Sequence, residues 1–136
     1  MPVYDKPLPQ PTKYSHPYWD ACKRHVLALQ HCTDCGIYRF YPRPLCPNCN
    51  SARFNWDEVS GRGVVYTFTE VHRAIMPGFA EELPIIVAII ELENGVRMMS
   101  NIVECEASEV AIDCAVEVIF HDVTEEITLP KFRLSR

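Results

Sequence analysis

The sequence predicts a mainly β protein in which a short helix and a four-cysteine metal ribbon precede a small closed barrel. Three observations carry this expectation. Four cysteines stand as two CxxC pairs between Cys32 and Cys49, with the spacing C-x2-C-x10-C-x2-C. From Val64 onward, apolar residues recur with period two in short β-rich runs. Between two such runs lies Glu93-Asn94-Gly95, and Asn-Gly flanked by alternating residues is the strongest short-range signal for a hairpin.

Taken in order, the first eleven residues contain Pro2, Pro7, Pro9 and Pro11, which forbid a regular helix and favour an extended arm. A short helix fits the stretch SHPYWDACKRH. Ser15 is the expected N-cap, Pro17 falls in the first turn, and Lys23, Arg24 and His25 suit the negative end. Tyr18, Trp19 and Cys22 form its apolar stripe. The run VLALQ follows as a strand leading into Cys32. Beyond the second cysteine pair, VVYTFTEV, IIVAIIEL, VRMMSNIV, AVEVIFHDV and ITLPKF read as five strands. Five short antiparallel strands with no helix to cover a sheet point to a closed barrel, of which the OB-fold is the usual five-stranded form. The expected division is an extended arm at 1–14, a helix and zinc ribbon at 15–58, and an OB-fold domain at 59–136.

The cysteine array has a direct chemical meaning. Tetrahedral Zn²⁺ takes four thiolates at about 2.3 Å, and two facing CxxC turns deliver them from opposite sides. Cys32, Cys35, Cys46 and Cys49 are therefore the expected metal ligands. Gly36 after Cys35 and Asn50 after Cys49 suit the positive φ that closes such turns, and Pro47 stiffens the second. With all four positions filled by sulfur, no place remains for water, so the expected role is structural and the cofactor Zn²⁺. A rubredoxin-type iron site would use the same ligands, and a colourless zinc-containing protein excludes it. Cys22, Cys105 and Cys114 are expected to be buried apolar residues.

No catalytic constellation is expected. His31 adjoins a ligand but reads as a supporting residue. His121 and Asp122 are neighbours on a strand, so their side chains should point to opposite faces. Gly61-Arg62-Gly63 lacks the helix and further glycines of a phosphate loop. Its expected task is to kink the chain into the first barrel strand. The long stretch HRAIMPGFAEELP carries Ile75, Met76, Phe79 and Leu83, either as a contact surface or as a plug for the barrel mouth.

Composition narrows the class further. The 136 residues are 48% hydrophobic and 23% charged, those of a folded globular chain. No apolar run reaches the roughly 18 residues of a membrane span, and the N-terminus lacks the apolar core of a secretory signal. A cytoplasmic location is expected, where paired cysteines bind metal rather than form disulfides. Residues 1–60 carry seven basic and five acidic side chains, whereas residues 61–136 carry six and thirteen. An acidic barrel half is a poor partner for a polyanion.

The order Tyr18-Trp19, Leu29-Gln30, CTDCG, YPRPLCPNC, Trp56, SGRGVVYTFT, Pro84, ENG, VEVIF and LPKF resembles the acyl-CoA-associated OB-fold family with an N-terminal rubredoxin-like zinc ribbon. The resemblance runs from Ser15 to Arg133, and its motifs are specific in combination rather than singly. It implies an accessory subunit or fused domain that supports a thiolase-superfamily enzyme, an acyltransferase or a retro-aldolase acting on acyl-CoA in lipid or steroid metabolism. The partner would hold the catalytic residues, and this chain would buttress it in a hetero-oligomer and contribute to the CoA channel. Only the four cysteines carry over position by position. Asn50 and Asp113 stand where the family usually has glycine, and both residue types tolerate a left-handed backbone. Two alternative readings stand beside it: a single-stranded nucleic-acid binder, which the acidic barrel disfavours, and a stand-alone acyl-CoA-binding module. For the latter, Arg62, Arg73 and Arg97 are the candidate phosphate partners.

Overall fold

The structure, a computed structural model, describes residues 6–74 and 76–135. Residues 1–5 of the expected arm and Ile75 lie outside the described residues. Helix α1 (His16–Lys23) is followed by β1 (Leu27–Cys32), β2 (Tyr38–Arg39) and β3 (Phe54–Val59), which form one antiparallel sheet in the order β2-β1-β3. Then come β4 (Arg62–Val71), β5 (Ile85–Leu92), β6 (Arg97–Ile102), β7 (Ala115–Asp122) and β8 (Thr128–Leu134). These five close into a barrel in the order β4-β5-β6-β8-β7. All barrel pairs are antiparallel except β6 with β8, which meet in parallel at Ile102 and Phe132.

The helix begins differently from the sequence expectation. Ser15 already has helical angles, φ −97° and ψ −11°, so its side chain does not cap the helix. Its buried hydroxyl instead accepts the Thr12 amide at 2.8 Å, while Thr12 Oγ1 accepts the Ser15 amide at 3.2 Å. Capping has moved three residues upstream, because the turn at Thr12 is continuous with the helix. The apolar stripe is as expected in Tyr18 and Cys22, both buried, with Trp19 half-buried beside them.

The five barrel strands are those the alternation predicts. On β5, Ile86, Ala88, Ile90 and Leu92 point inward and are buried, while the residues between them are half-buried on the outer face. Two glycines admit the first strand. Gly61 has φ +76°, and a Cβ on Gly63 would lie 2.4 Å from the Glu91 carbonyl oxygen, so β4 and β5 approach where no side chain fits. The turn at Glu93-Asn94-Gly95 joins β5 to β6 with Gly95 at φ +86°. Strand β3 was not anticipated. Its sequence, FNWDEV, lacks clean alternation, and its partner β1 ends at the first cysteine of the array. The long stretch before β5 contains a turn of 3-10 helix at Pro77–Glu82.

One hydrophobic cluster unites the two sheets. Tyr18, Cys22, Leu27 and Leu29 pack with barrel residues that include Val65, Ile90, Met98, Val116 and Phe132. The ribbon's base is thus part of the barrel's core. Among the described residues, no helix is long and apolar enough to cross a membrane.

Candidate metal centre

The end of β1 delivers Cys32, and two hairpin turns of the same backbone design follow. In the first, the Cys32 amide donates to Ile37 O at 2.9 Å and the Gly36 amide to Cys32 O at 3.1 Å. In the second, the Cys46 amide donates to Ser51 O and the Asn50 amide to Cys46 O, both at 2.9 Å. Both turns close on a left-handed residue, Gly36 at φ +82° and Asn50 at φ +64°, as the sequence predicts. Backbone amides also face the sulfurs: Cys35 N lies 3.5 Å from Cys32 Sγ, and Asn48 N lies 3.4 Å from Cys46 Sγ.

The Sγ atoms of Cys32, Cys35, Cys46 and Cys49 all lie within 4.8 Å of one another. Cys32 and Cys49 are 3.6 Å apart, as are Cys35 and Cys46. Sulfurs at the corners of a tetrahedron with bonds of 2.3 Å are separated by about 3.8 Å, so the donor set fits a structural Zn²⁺. Electrostatics points the same way. The Cys35 amide helps draw the Cys32 thiol down to about 6, while Cys49, though drawn down by the Ser51 amide, is pushed by burial and its neighbouring thiols up to about 12. Sulfurs this close ionise together only around a cation.

The surroundings brace the two turns. Asp34 of the first turn accepts hydrogen bonds from Ser51 and Arg53 beyond the second, the Arg53 Nε contact being 3.2 Å. These partners, Ser51 first, hold its carboxyl below the usual carboxylate range. His31 plays the supporting part expected of it: Nδ1 lies 2.8 Å from Asp57 Oδ2, Nε2 lies 3.0 Å from Gly36 O, and the ring stacks on Tyr38 at 4.2 Å. Sequence reasoning missed the buried polar group behind the second turn. Gln30 Oε1 accepts from Arg39 Nε at 2.7 Å and from the Arg43 amide at 2.8 Å, and Arg39 Nη2 donates to Arg43 O at 3.0 Å.

The other candidates are dispersed. Asp122 does not pair with His121: it accepts from His25, whose Nε2 lies at 2.9 Å, and from Thr128 Oγ1 at 2.5 Å. Cys22 is fully buried, and burial pushes its thiol up to about 12. Cys105 and Cys114 are only half-buried, contrary to expectation, because both lie in connections between strands rather than on their inner faces. Arg62 pairs with Glu93 at 3.3 Å, and Arg97 pairs with Glu91 at 3.0 Å. Arg73, by contrast, borders a cleft of about 750 Å³ on the barrel's flank. Phe79 of the long stretch lines that cleft, whereas Met76 is exposed. The stretch therefore neither projects wholly outward nor plugs the barrel.

A closed barrel of this strand order, preceded by two cysteine turns at the end of a three-stranded sheet, defines a zinc ribbon joined to an OB-fold. Residues 19–55 match the family model described as the ChsH2 rubredoxin-like zinc ribbon domain, and residues 56–121 match the ChsH2 C-terminal OB-fold domain. A DUF35 domain-containing scaffold protein of Methanocaldococcus jannaschii is 37% identical over 105 residues, covering 76% of this chain and 74% of its own. The chain belongs to the DUF35 family. A probable enoyl-CoA hydratase alpha subunit of Thermomonospora curvata is 34% identical over 130 residues, covering 94% of this chain. This chain spans only 40% of that relative's length. Among solved structures, a chain of the Ltp2-ChsH2(DUF35) aldolase superposes with a TM-score of 0.83 at 31% identity, covering 93% of this chain and 98% of that one.

Proposed function

We propose that this chain is a non-catalytic scaffold subunit that supports a thiolase-like enzyme, an acyltransferase or retro-aldolase, acting on acyl-CoA thioesters. The observation that carries this reading is the correspondence, nearly end to end, with a chain of an aldolase complex. The site chemistry agrees with it. Cys32, Cys35, Cys46 and Cys49 would hold Zn²⁺ with no open position, leaving the metal no substrate to polarise. The His121-Asp122 pair is split between two environments, and the buried Cys22 thiol is a poor nucleophile. The chain's contribution is shape: it would buttress the partner in a hetero-oligomer and line part of its CoA channel.

Co-expression with a thiolase-like enzyme encoded beside it tests the proposal. The expected result is a stable complex containing one zinc per copy of this chain, with the enzyme insoluble or inactive when expressed alone. An enzyme that is fully soluble and active alone overturns it. A second reading, in which the partner is a hydratase, draws on the relative from Thermomonospora curvata. The same complex distinguishes the two, since one partner breaks a carbon–carbon or thioester bond and the other adds water to an unsaturated thioester.

A further inference from the structure

The cleft on the barrel's flank lies among the outer faces of β5, β6 and β8, the 3-10 turn at Pro77–Glu82 and the loop after β6. At about 750 Å³ it falls within the range of small-molecule sites, roughly 300–1,000 Å³. Its walls are largely aliphatic: Ile85, Val87, Met99 and Leu129 line it. The N-terminal arm helps close one side, where Lys6 Nζ pairs with Glu82 Oε1 at 2.7 Å.

Charge inside the cleft is unbalanced in a specific way. Lys131 is half-buried, and among the described residues its ammonium makes one hydrogen bond, to Asn101 Oδ1 at 2.6 Å, and no ion pair. An ammonium has three donors, so two remain to be satisfied. Each acid of the lining has a partner other than Lys131, although Glu82 is near enough to act on Lys131 as well. Glu82 holds Lys6, Glu104 lies 3.9 Å from Arg133, and the Glu106 side chain accepts the Glu109 backbone amide at the start of a short 3-10 turn. Burial holds Lys131 below the ordinary lysine value; Glu82 offsets this only in part, and Lys6 adds repulsion. Arg73 and His121 also line the cleft.

We propose that this cleft binds an aliphatic carboxylate, its head group on Lys131 and its chain along Val87, Met99 and Leu129. A single negative head matches an ammonium with no ion pair among the described residues, and a flexible hydrocarbon matches walls that are mostly aliphatic, with Phe79 and His121 the rings among the described lining residues. The proposal does not rest on the scaffold role, so its failure would leave that reading standing.

Fluorescence titration of the full chain with 11-(dansylamino)undecanoate, below the micelle concentration, tests this. Dodecanoate should displace the probe at least tenfold more effectively than dodecyltrimethylammonium, which has the same chain and the opposite charge. Lys131→Met, with an unchanged circular dichroism spectrum, should weaken dodecanoate tenfold or more and abolish that preference. Equal displacement by the two surfactants, or an unaffected Lys131→Met, overturns the proposal. Should that variant fail to fold, amide spectra of the wild-type chain decide: dodecanoate should shift Val87, Met99 and Leu129, and shifts confined to other surfaces overturn it.

Discussion

His25 Nε2 lies 2.9 Å from Asp122 Oδ1, joining the turn after α1 to the last residue of β7. His25 stands in a left-handed conformation, φ +61°, and its ring stacks against Phe120 at 5.4 Å. The carboxylate receives the Thr128 hydroxyl as well, so one side chain ties helix, barrel strand and the start of β8 together.

These contacts make Asp122 a source of pH-dependent stability. The Thr128 hydroxyl, and then His25, hold its carboxyl below the usual range. A group depressed in the folded state stabilises the fold above its unfolded value, about 4, and that stabilisation is lost as pH falls through the folded value. Asp122→Asn should therefore flatten the fall of melting temperature below about pH 4, with little change in slope near neutrality. Equal acid slopes for the two proteins would show the contact to be energetically idle.

Gly63 offers a steric test of the barrel. Its missing side chain allows the Glu91 carbonyl to approach, and a Cβ there would meet that oxygen at 2.4 Å. The obstacle is backbone, so relief requires β4 and β5 to part. Gly63→Ala should cost about 1–3 kcal/mol, read as a lower urea midpoint with an unchanged slope.

Most of the barrel and the ribbon's ligand spacing were legible because both are local patterns. Alternation on Ile85–Leu92 and the Asn-Gly turn need only adjacent residues, and each cysteine turn spans six. What escaped depends on distant partners. Strand β3 is defined by pairing with β1, 26 positions away at Trp56 and Gln30. Gln30 becomes a buried acceptor only when β2 lies beside β1. The flank cleft escaped for the same reason, since Lys6, Phe79, Met99 and Lys131 come from four separate segments. Thr12 was missed as a cap because Ser15 offered the same chemistry nearer the apolar stripe.

Metal removal should act on part of the ribbon only. The two cysteine turns have few buried side chains besides Cys32 and Cys46, whereas Leu27 and Leu29 on β1 belong to the barrel's cluster. Chelation should therefore free the amides of Gly36 and Asn50 to exchange while those of the barrel strands and β1 stay protected. Loss of protection throughout the chain in a single step would show instead that zinc holds the whole fold.

Gln30 is the most consequential residue that binds no metal. Fully buried two positions before Cys32, it accepts both the Arg39 guanidinium and the Arg43 amide through one oxygen. Arg39, itself buried over the Phe54 ring at 4.8 Å, reaches on to Arg43 O, so the loop entering the second cysteine turn hangs from this one acceptor. Two donors face a single oxygen, which fixes the amide's orientation and leaves Gln30 Nε2 and Arg39 Nη1 without partners among the described residues. Gln30→Leu would strand the buried, cationic Arg39 Nε and leave the Arg43 amide without its acceptor, at a cost of about 2–4 kcal/mol. It should also speed zinc release to a colorimetric chelator, because the second pair of sulfurs loses its support. Gln30→Glu keeps the acceptor, gives Arg39 an opposite charge and removes the stranded amide, so its stability should match or exceed that of the wild type. A Leu variant as stable as the wild type, or a Glu variant as weak as Leu, would place the support of the second turn elsewhere.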